Sequence, residues 1–134
     1  MAKILLDTNA LIWLDADDKK LGRQSRRMIT HAQQGDLYTS VLSFWELATI
    51  TAKKRLRMQK QLPAWRIALL ETGLQEIAVD NRVIMRALEI LPYHTDPIDC
   101  LIMGTAMAHN MVLVTSDERI LGWKGPLERQ DAFK

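Results

Sequence analysis

The chain has 134 residues, 48% hydrophobic and 25% charged, with four prolines and six glycines, which excludes disordered and fibrous classes and predicts one globular domain over residues 1–134. A chain of this length buries roughly two thirds of its unfolded surface, and its single cysteine, Cys100, allows neither an intrachain disulfide nor a Cys-rich zinc cage and is expected as a small buried hydrophobe. Net charge is only +2, yet six of the 18 basic residues (Lys53, Lys54, Arg55, Arg57, Lys60 and Arg66) lie between positions 51 and 66 with no acid among them, leaving 12 basic against 16 acidic side chains elsewhere.

In chain order, Lys3 to Leu6 is a short apolar run ending at Asp7. It predicts a strand followed by a helix that Asp7-Thr8-Asn9 starts. Leu21, Met28, Ile29 and Ala32 give a second, weaker helical spacing that stops at Gly35. Leu37-Tyr38-Thr39 is a brief strand, and Ser43 to Glu46 matches the S-x-x-E capping box, predicting a helix from Ser43 to about Lys54. Pro63 suits the first turn of another helix, closed by Gly73. Leu74 to Val79 reads as a strand, Asp80 as the cap of a helix ending before Pro92, and Asp96-Pro97 as the start of the most apolar helix, Ile98 to His109. Met111 to Thr115 is a continuous apolar strand. A short helix follows Asp117, and the tail holds one edge strand around Leu127 to Gln130. Short apolar strands alternating with helices predict a three-layer α/β domain with a central, mostly parallel sheet buried on both faces. The opening segment reaches Asp7 too soon for a secretory core, and no later apolar run nears the 18 residues of a membrane span, so a cytoplasmic protein is expected.

Asp7, Glu46, the pair Asp96 and Asp99, and Asp117 each stand where strand or loop turns into helix. Each alone is explained by helix capping, because a carboxylate satisfies orphan N–H groups and the positive end of the helix dipole. Together they come from distant parts of the chain at one structural register. In an open parallel sheet that register borders the crevice beyond the carboxyl ends of the strands. Carboxylates that converge there cannot all stay ionised without a cation such as Mg²⁺ or Mn²⁺ between them.

The blocks Leu5-Leu6-Asp7-Thr8-Asn9-Ala10-Leu11-Ile12-Trp13, Ser43-Phe44-Trp45-Glu46-Leu47-Ala48, His94-Thr95-Asp96-Pro97-Ile98-Asp99 and Leu113-Val114-Thr115-Ser116-Asp117 resemble, in order and spacing, the PIN-domain ribonucleases, in particular the toxins of VapBC-type toxin and antitoxin pairs. The resemblance implies a PIN-like fold and metal-dependent RNA hydrolysis. It implies an acidic quartet at Asp7, Glu46, Asp99 and Asp117 that holds Mg²⁺ or Mn²⁺, with Asp96 as an accessory acid. Thr8, Asn9, Thr115 and Ser116 match positions that support such a site by hydrogen bonds. Glu46 either ligates a cation or orients the attacking water, two roles that sequence leaves open. Cys100 stands where relatives of this subgroup usually carry an arginine, so no arginine at that position serves phosphate contact or structure here. A cognate VapB-type antitoxin and a homodimer are the implied partners.

Other chemistries find less support. There is no His pair at i, i+4, no G-x-S-x-G elbow and no P-loop. A phospho-acceptor receiver domain also gathers acids at strand ends, but here Asp7 lacks a paired acid. A catalytically silent PIN-like binding module would not need the full quartet. His94 and His109 are expected as loop and helix-end residues and His31 at the surface. Trp13, Trp45, Trp65 and Trp123 are expected in the core or at a subunit interface. The strip Lys53, Lys54, Arg55, Arg57 and Lys60 is the candidate RNA-binding surface.

Overall fold

The structure, a computed structural model, describes residues 2–54 and 58–134, and for residues 53, 54 and 58–60 it describes the backbone alone. The strands are β1 (Lys3–Leu6), β2 (Leu37–Ser40), β3 (Gln75–Ile77), β4 (Met111–Thr115) and β5 (Arg129–Asp131). The helices are α1 (Thr8–Asp15), α2 (Arg23–Ala32), α3 (Val41–Lys54), α4 (Met58–Glu71), α5 (Asn81–Ile90), α6 (Pro97–Ala108) and α7 (Glu118–Leu121). The strands form one sheet in the order β3-β2-β1-β4-β5. Every pairing is parallel, with Leu5 opposite both Tyr38 and Leu113. The sheet is therefore wholly rather than mostly parallel.

Side chains alternate across β1 and β4 and so divide the core in two. Ile4, Leu6 and Val114 join Leu11 of α1, Ile29 of α2, Phe44 of α3 and Leu69 of α4 on one face. Leu5, Met111 and Leu113 join Ala87 and Ile90 of α5, Ile102 and Met103 of α6 and Ile120 of α7 on the other. Leu5 and Leu6 have no exposed surface, and burying such a side chain stabilises the fold by about 1.5–3 kcal/mol. Two central strands covered on both sides give the site a rigid floor.

Helix starts depart from expectation in two places. α3 begins at Val41, directly after β2, with the Leu42 N–H donating to Ser40 Oγ at 3.1 Å. Ser43 is thus inside the helix, and its hydroxyl accepts from Thr8 Oγ1 at 3.0 Å instead of capping. α4 begins at Met58, placing Pro63 inside rather than in the first turn. The proline removes one backbone bond, and burial of Leu62 and Leu69 on one face of α4 holds the helix together across it. The final edge strand starts two residues later and ends one later than expected, and Leu127, ahead of it, packs into the core.

α5 and α6 cross at a close approach. A Cβ at Gly104 would lie 2.9 Å from the Val83 carbonyl oxygen and 3.0 Å from the Ala87 nitrogen. Only a residue without a side chain lets the two backbones meet there, and this contact sets the position of α6 and hence of Asp99 at its start.

Candidate active site

Asp7 follows the last residue of β1, and its N–H donates to the Val114 carbonyl at 2.9 Å, fixing it at the sheet edge. It caps α1: one carboxylate oxygen accepts from the Thr8 N–H at 2.8 Å and the other from Thr115 Oγ1 at 2.7 Å. Thr115 Oγ1 also accepts from the Asp117 N–H at 3.1 Å. One hydroxyl at the end of β4 therefore ties two acids together.

Asp117 caps α7, accepting from the Arg119 and Ile120 N–H groups at 2.8 and 3.3 Å. Its other oxygen lies 3.7 Å from the Arg119 guanidinium. Asp96 caps α6, accepting from the Ile98 and Asp99 N–H groups at 3.0 and 3.2 Å. Asp99, on the first turn of α6, points inward and pairs with His94 Nε2 at 3.0 Å. Glu46 lies in the second turn of α3, not the first, because that helix starts earlier than its capping-box pattern implies.

Asp7, Glu46, Asp99 and Asp117 line one cleft of about 140 Å³, together with Thr8, Asn9, Ile12, Leu47 and Ile50. Asp96 stands outside this lining, near enough to act on Asp7, Glu46 and Asp99 through its charge. Ser116 is half-buried beside Asp117. The side chains of the basic strip, Lys53, Lys54, Arg55, Arg57 and Lys60, lie outside the described residues.

The electrostatics follow from this crowding. Burial raises the Asp7 carboxyl above its ordinary range, opposed by the Thr115 and Thr8 bonds and reinforced by Asp117 and Asp96. Burial also raises Glu46, with the Thr8 hydroxyl pulling down and Asp7 and Asp96 pushing up. Asp99 is pushed up to about 6, first by burial and then by Asp7, Asp96 and Asp117, against the stabilising His94 bond. Each group resists ionisation in a site built from acids, and a divalent cation relieves that conflict.

The donor set is all carboxylate oxygen, which suits Mg²⁺ or Mn²⁺. Among the described residues no three His, Cys, Asp or Glu side chains are already drawn into a cage. Mg²⁺ needs none, since it keeps several waters and takes one or two carboxylates.

His94 is the residue whose importance sequence reading missed. It lies in the expected loop but is 4% exposed and bonded to an acid of the cleft. The available signal was a histidine just upstream of the Asp96-Pro97 helix start. The Cys100 Sγ–H donates to the His94 carbonyl at 3.0 Å, so the buried thiol helps hold that loop. His109 is the C-cap of α6 and His31 is exposed, both as expected. Trp13 packs on Phe133 and Trp65 on Phe44. Trp45 is 62% exposed and does not belong to the core.

The chain is thus a wholly parallel α/β domain with an acid-lined cleft at the carboxyl edge of its central strands. The PIN domain profile matches residues 4–122, and the chain belongs to the PIN-domain family. It is similar to Ribonuclease VapC22 of Mycobacterium tuberculosis, at 28% identity over 94% of this chain and 95% of that protein. Its fold is similar to that in the crystal structure of DNA-bound VapBC from Salmonella typhimurium, with a TM-score of 0.73 and 20% identity over 98% of each chain. VapBC2 from Rickettsia felis, bound to a promoter DNA fragment, gives a TM-score of 0.69 and 18% identity, covering 96% of this chain and 98% of that one. Among the described residues no helix is long and apolar enough to cross a membrane.

Proposed function

We propose that the 134 residues form a single metal-dependent endoribonuclease domain, the toxin of a toxin–antitoxin pair. The observation that carries this reading is the convergence of Asp7, Glu46, Asp99 and Asp117, from four separate parts of the chain, on one small cleft at the edge of a PIN fold. The relationship to a ribonuclease of the VapC type supports it.

Asp7, Asp99 and Asp117 are the carboxylates held for Mg²⁺ or Mn²⁺. Such an ion, when bound, polarises a phosphate and acidifies a water. Thr115 and the Thr8 N–H fix the Asp7 carboxylate, His94 fixes Asp99, and the first N–H groups of α7 fix Asp117. Glu46 meets the Thr8 hydroxyl, and burial raises its carboxyl above the ordinary range, which favours a group that takes a proton from water. We assign it to orienting and deprotonating the attacking water.

The chain should cut single-stranded RNA in Mg²⁺ or Mn²⁺. A 2′-deoxy nucleotide at the cut position should still be cleaved, since water and not the 2′-hydroxyl attacks. Cleavage that survives chelator, or that requires the 2′-hydroxyl, rules the mechanism out.

Structural neighbours were solved as VapBC and toxin–antitoxin complexes, and we extend that partnership to this chain. An antitoxin arginine entering the cleft would pair with its carboxylates in place of the cation. Expression of the chain alone should arrest growth and expression of Asp7→Asn should not; equal toxicity means a non-enzymatic cause. On α5, Ile84, Met85 and Leu88 are 41%, 57% and 54% exposed, an apolar face that a second copy would cover as an isologous dimer. Only monomer in sedimentation at high micromolar concentration removes the dimer.

A further inference from the structure

Two residues that touch cleft acids also line a larger concavity. His94, bonded to Asp99, and Arg119, paired with Asp117, form part of the wall of a mostly apolar groove of about 890 Å³. Tyr93, Trp123, Lys124 and Gly125 supply much of the rest. This volume falls within the roughly 300–1,000 Å³ of small-molecule binding sites. Tyr93 leaves 75% of its surface in solvent. Trp123 is half-buried, and Gly125 lies against its ring: a Cβ there would come within 2.0–2.4 Å of the indole Cη2, Cζ2 and Cζ3 atoms. Lys124 and Arg119 are exposed cations of the same groove, and its acid, Glu89, is paired with Arg86 at 3.1 Å.

We propose that this groove binds one nucleoside unit of single-stranded RNA beside the acidic cleft. The base lies against Tyr93 and Trp123, and its flanking phosphates lie by Lys124 and Arg119. The inference rests on the nuclease reading and adds the subsite that positions the chain for cleavage. Its chemistry is that of single-strand recognition, which combines aromatic faces for unstacked bases with cations that track the backbone. The cleft itself repels phosphate through its acids, so the substrate needs cationic contacts close by. Contact with Asp99 and Asp117 through His94 and Arg119 puts the groove within one or two nucleotides of the reacting bond. An acidic peptide would also meet these cations, but it would not need two aromatic groups beside the nuclease acids.

The test uses the full chain carrying Asp7→Asn, so that RNA stays intact, with Mg²⁺ present. Fluorescein-labelled single-stranded RNA octamers are titrated and followed by anisotropy. Tyr93→Ala and Lys124→Ala change exposed side chains. Tyr93→Ala should weaken binding about fivefold or more, the scale of one lost base stack. Lys124→Ala should flatten the salt slope by about 0.7. An abasic nucleotide at one position flanking the cut should cost the Asp7→Asn protein about as much as Tyr93→Ala does, and cost the Tyr93→Ala protein nothing further. If both groove variants bind RNA as the Asp7→Asn protein does, the subsite is wrong, and metal-dependent cleavage by the parent still stands on its own. If they lose an acidic peptide or the antitoxin but keep RNA, the groove is a protein dock and the proposal fails. Groove-dependent RNA binding by a parent chain that never cleaves RNA supports the subsite and overturns the nuclease reading.

Discussion

The acidic cleft, about 140 Å³, and the aromatic groove, about 890 Å³, lie on either side of His94 and Arg119 and are built in different ways. In the cleft, Asp7, Asp99 and Asp117 leave strand ends or helix starts, and each has fixed hydrogen-bond partners. In the groove, Tyr93, Lys124 and Gly125 come from loops around α5, α6 and α7, and Tyr93 stands largely in solvent. Charges that must meet a cation need a rigid backbone, whereas a surface that selects a substrate can vary on loops. On the proposed function, chemistry and selectivity are therefore separable in this molecule, and mutations should divide along the same line.

The largest effect should come from the cleft. Asp7→Asn and Asp99→Asn keep size and much of the capping capacity but remove the charge proposed to hold the cation. RNA cleavage should fall by about 10³-fold or more, while thermal melts show a fold at least as stable as the parent's, because a buried carboxylate that resists ionisation has become neutral. An Asn variant that cleaves like the parent would erase the distinction between the two regions.

Next comes the shared wall. His94→Ala removes the partner that orients Asp99 without touching the reacting atoms. Loss of a partner that orients a metal ligand costs about 10–100-fold in metal affinity or activity. His94→Gln, which keeps a donor, should recover part of that loss, and the Mn²⁺ dissociation constant is the readout. If His94→Ala changes only stability, the histidine belongs to the core and not to the site.

pH sharpens the same contrast. With Asp99 near 6, protons compete with the cation, so metal affinity should weaken by about tenfold per unit as pH falls below about 6. In the metal-free chain the stability sign is opposite. A pKa raised from 3.8 to about 6 means that the folded state binds the proton more tightly. That contribution is complete below about pH 4 and is lost as pH rises through 6. Melting in chelator at pH 4.5 and 7 should show this loss in the parent and less of it in Asp99→Asn.

The smallest effect concerns the basic strip. Neutralising Lys53, Lys54, Arg55 and Arg57 together should raise KM and flatten its salt dependence, by about 0.7 in slope for each phosphate contact removed. Turnover at saturating RNA should change little, because binding lost equally from ground and transition states does not appear in kcat. Unchanged KM and slope would leave RNA to approach over another face.

Much of this architecture was legible in the sequence. Lys3 to Leu6 and Met111 to Thr115 are apolar runs too short for helices, and Asp80, Asp96 and Asp117 announce the helices they cap. What was hidden depends on contacts between distant residues. Ser43 reads as a cap because S-x-x-E is a local pattern, yet its partner is Thr8, 35 residues away. Pro63 reads as a helix start because the side chains that carry α4 through it are buried only in the fold. His94 reads as an ordinary loop residue, since its place just upstream of the Asp96-Pro97 helix start does not by itself show that it folds back onto Asp99. The groove is invisible for the same reason: Tyr93 and Trp123 lie on opposite sides of α6 in sequence and line one groove only in the fold.

The most direct measurement is a calorimetric titration of Mn²⁺ into the parent chain, Asp7→Asn and Asp99→Asn at pH 7, with thermal melts to show that all three are folded. If Asp7, Asp99 and Asp117 hold a cation as proposed, the parent should give saturable binding with proton release, and either Asn variant should weaken it by at least tenfold. Equal Mn²⁺ affinity in parent and folded variants would contradict metal ligation by this cleft and leave its carboxylates as helix caps.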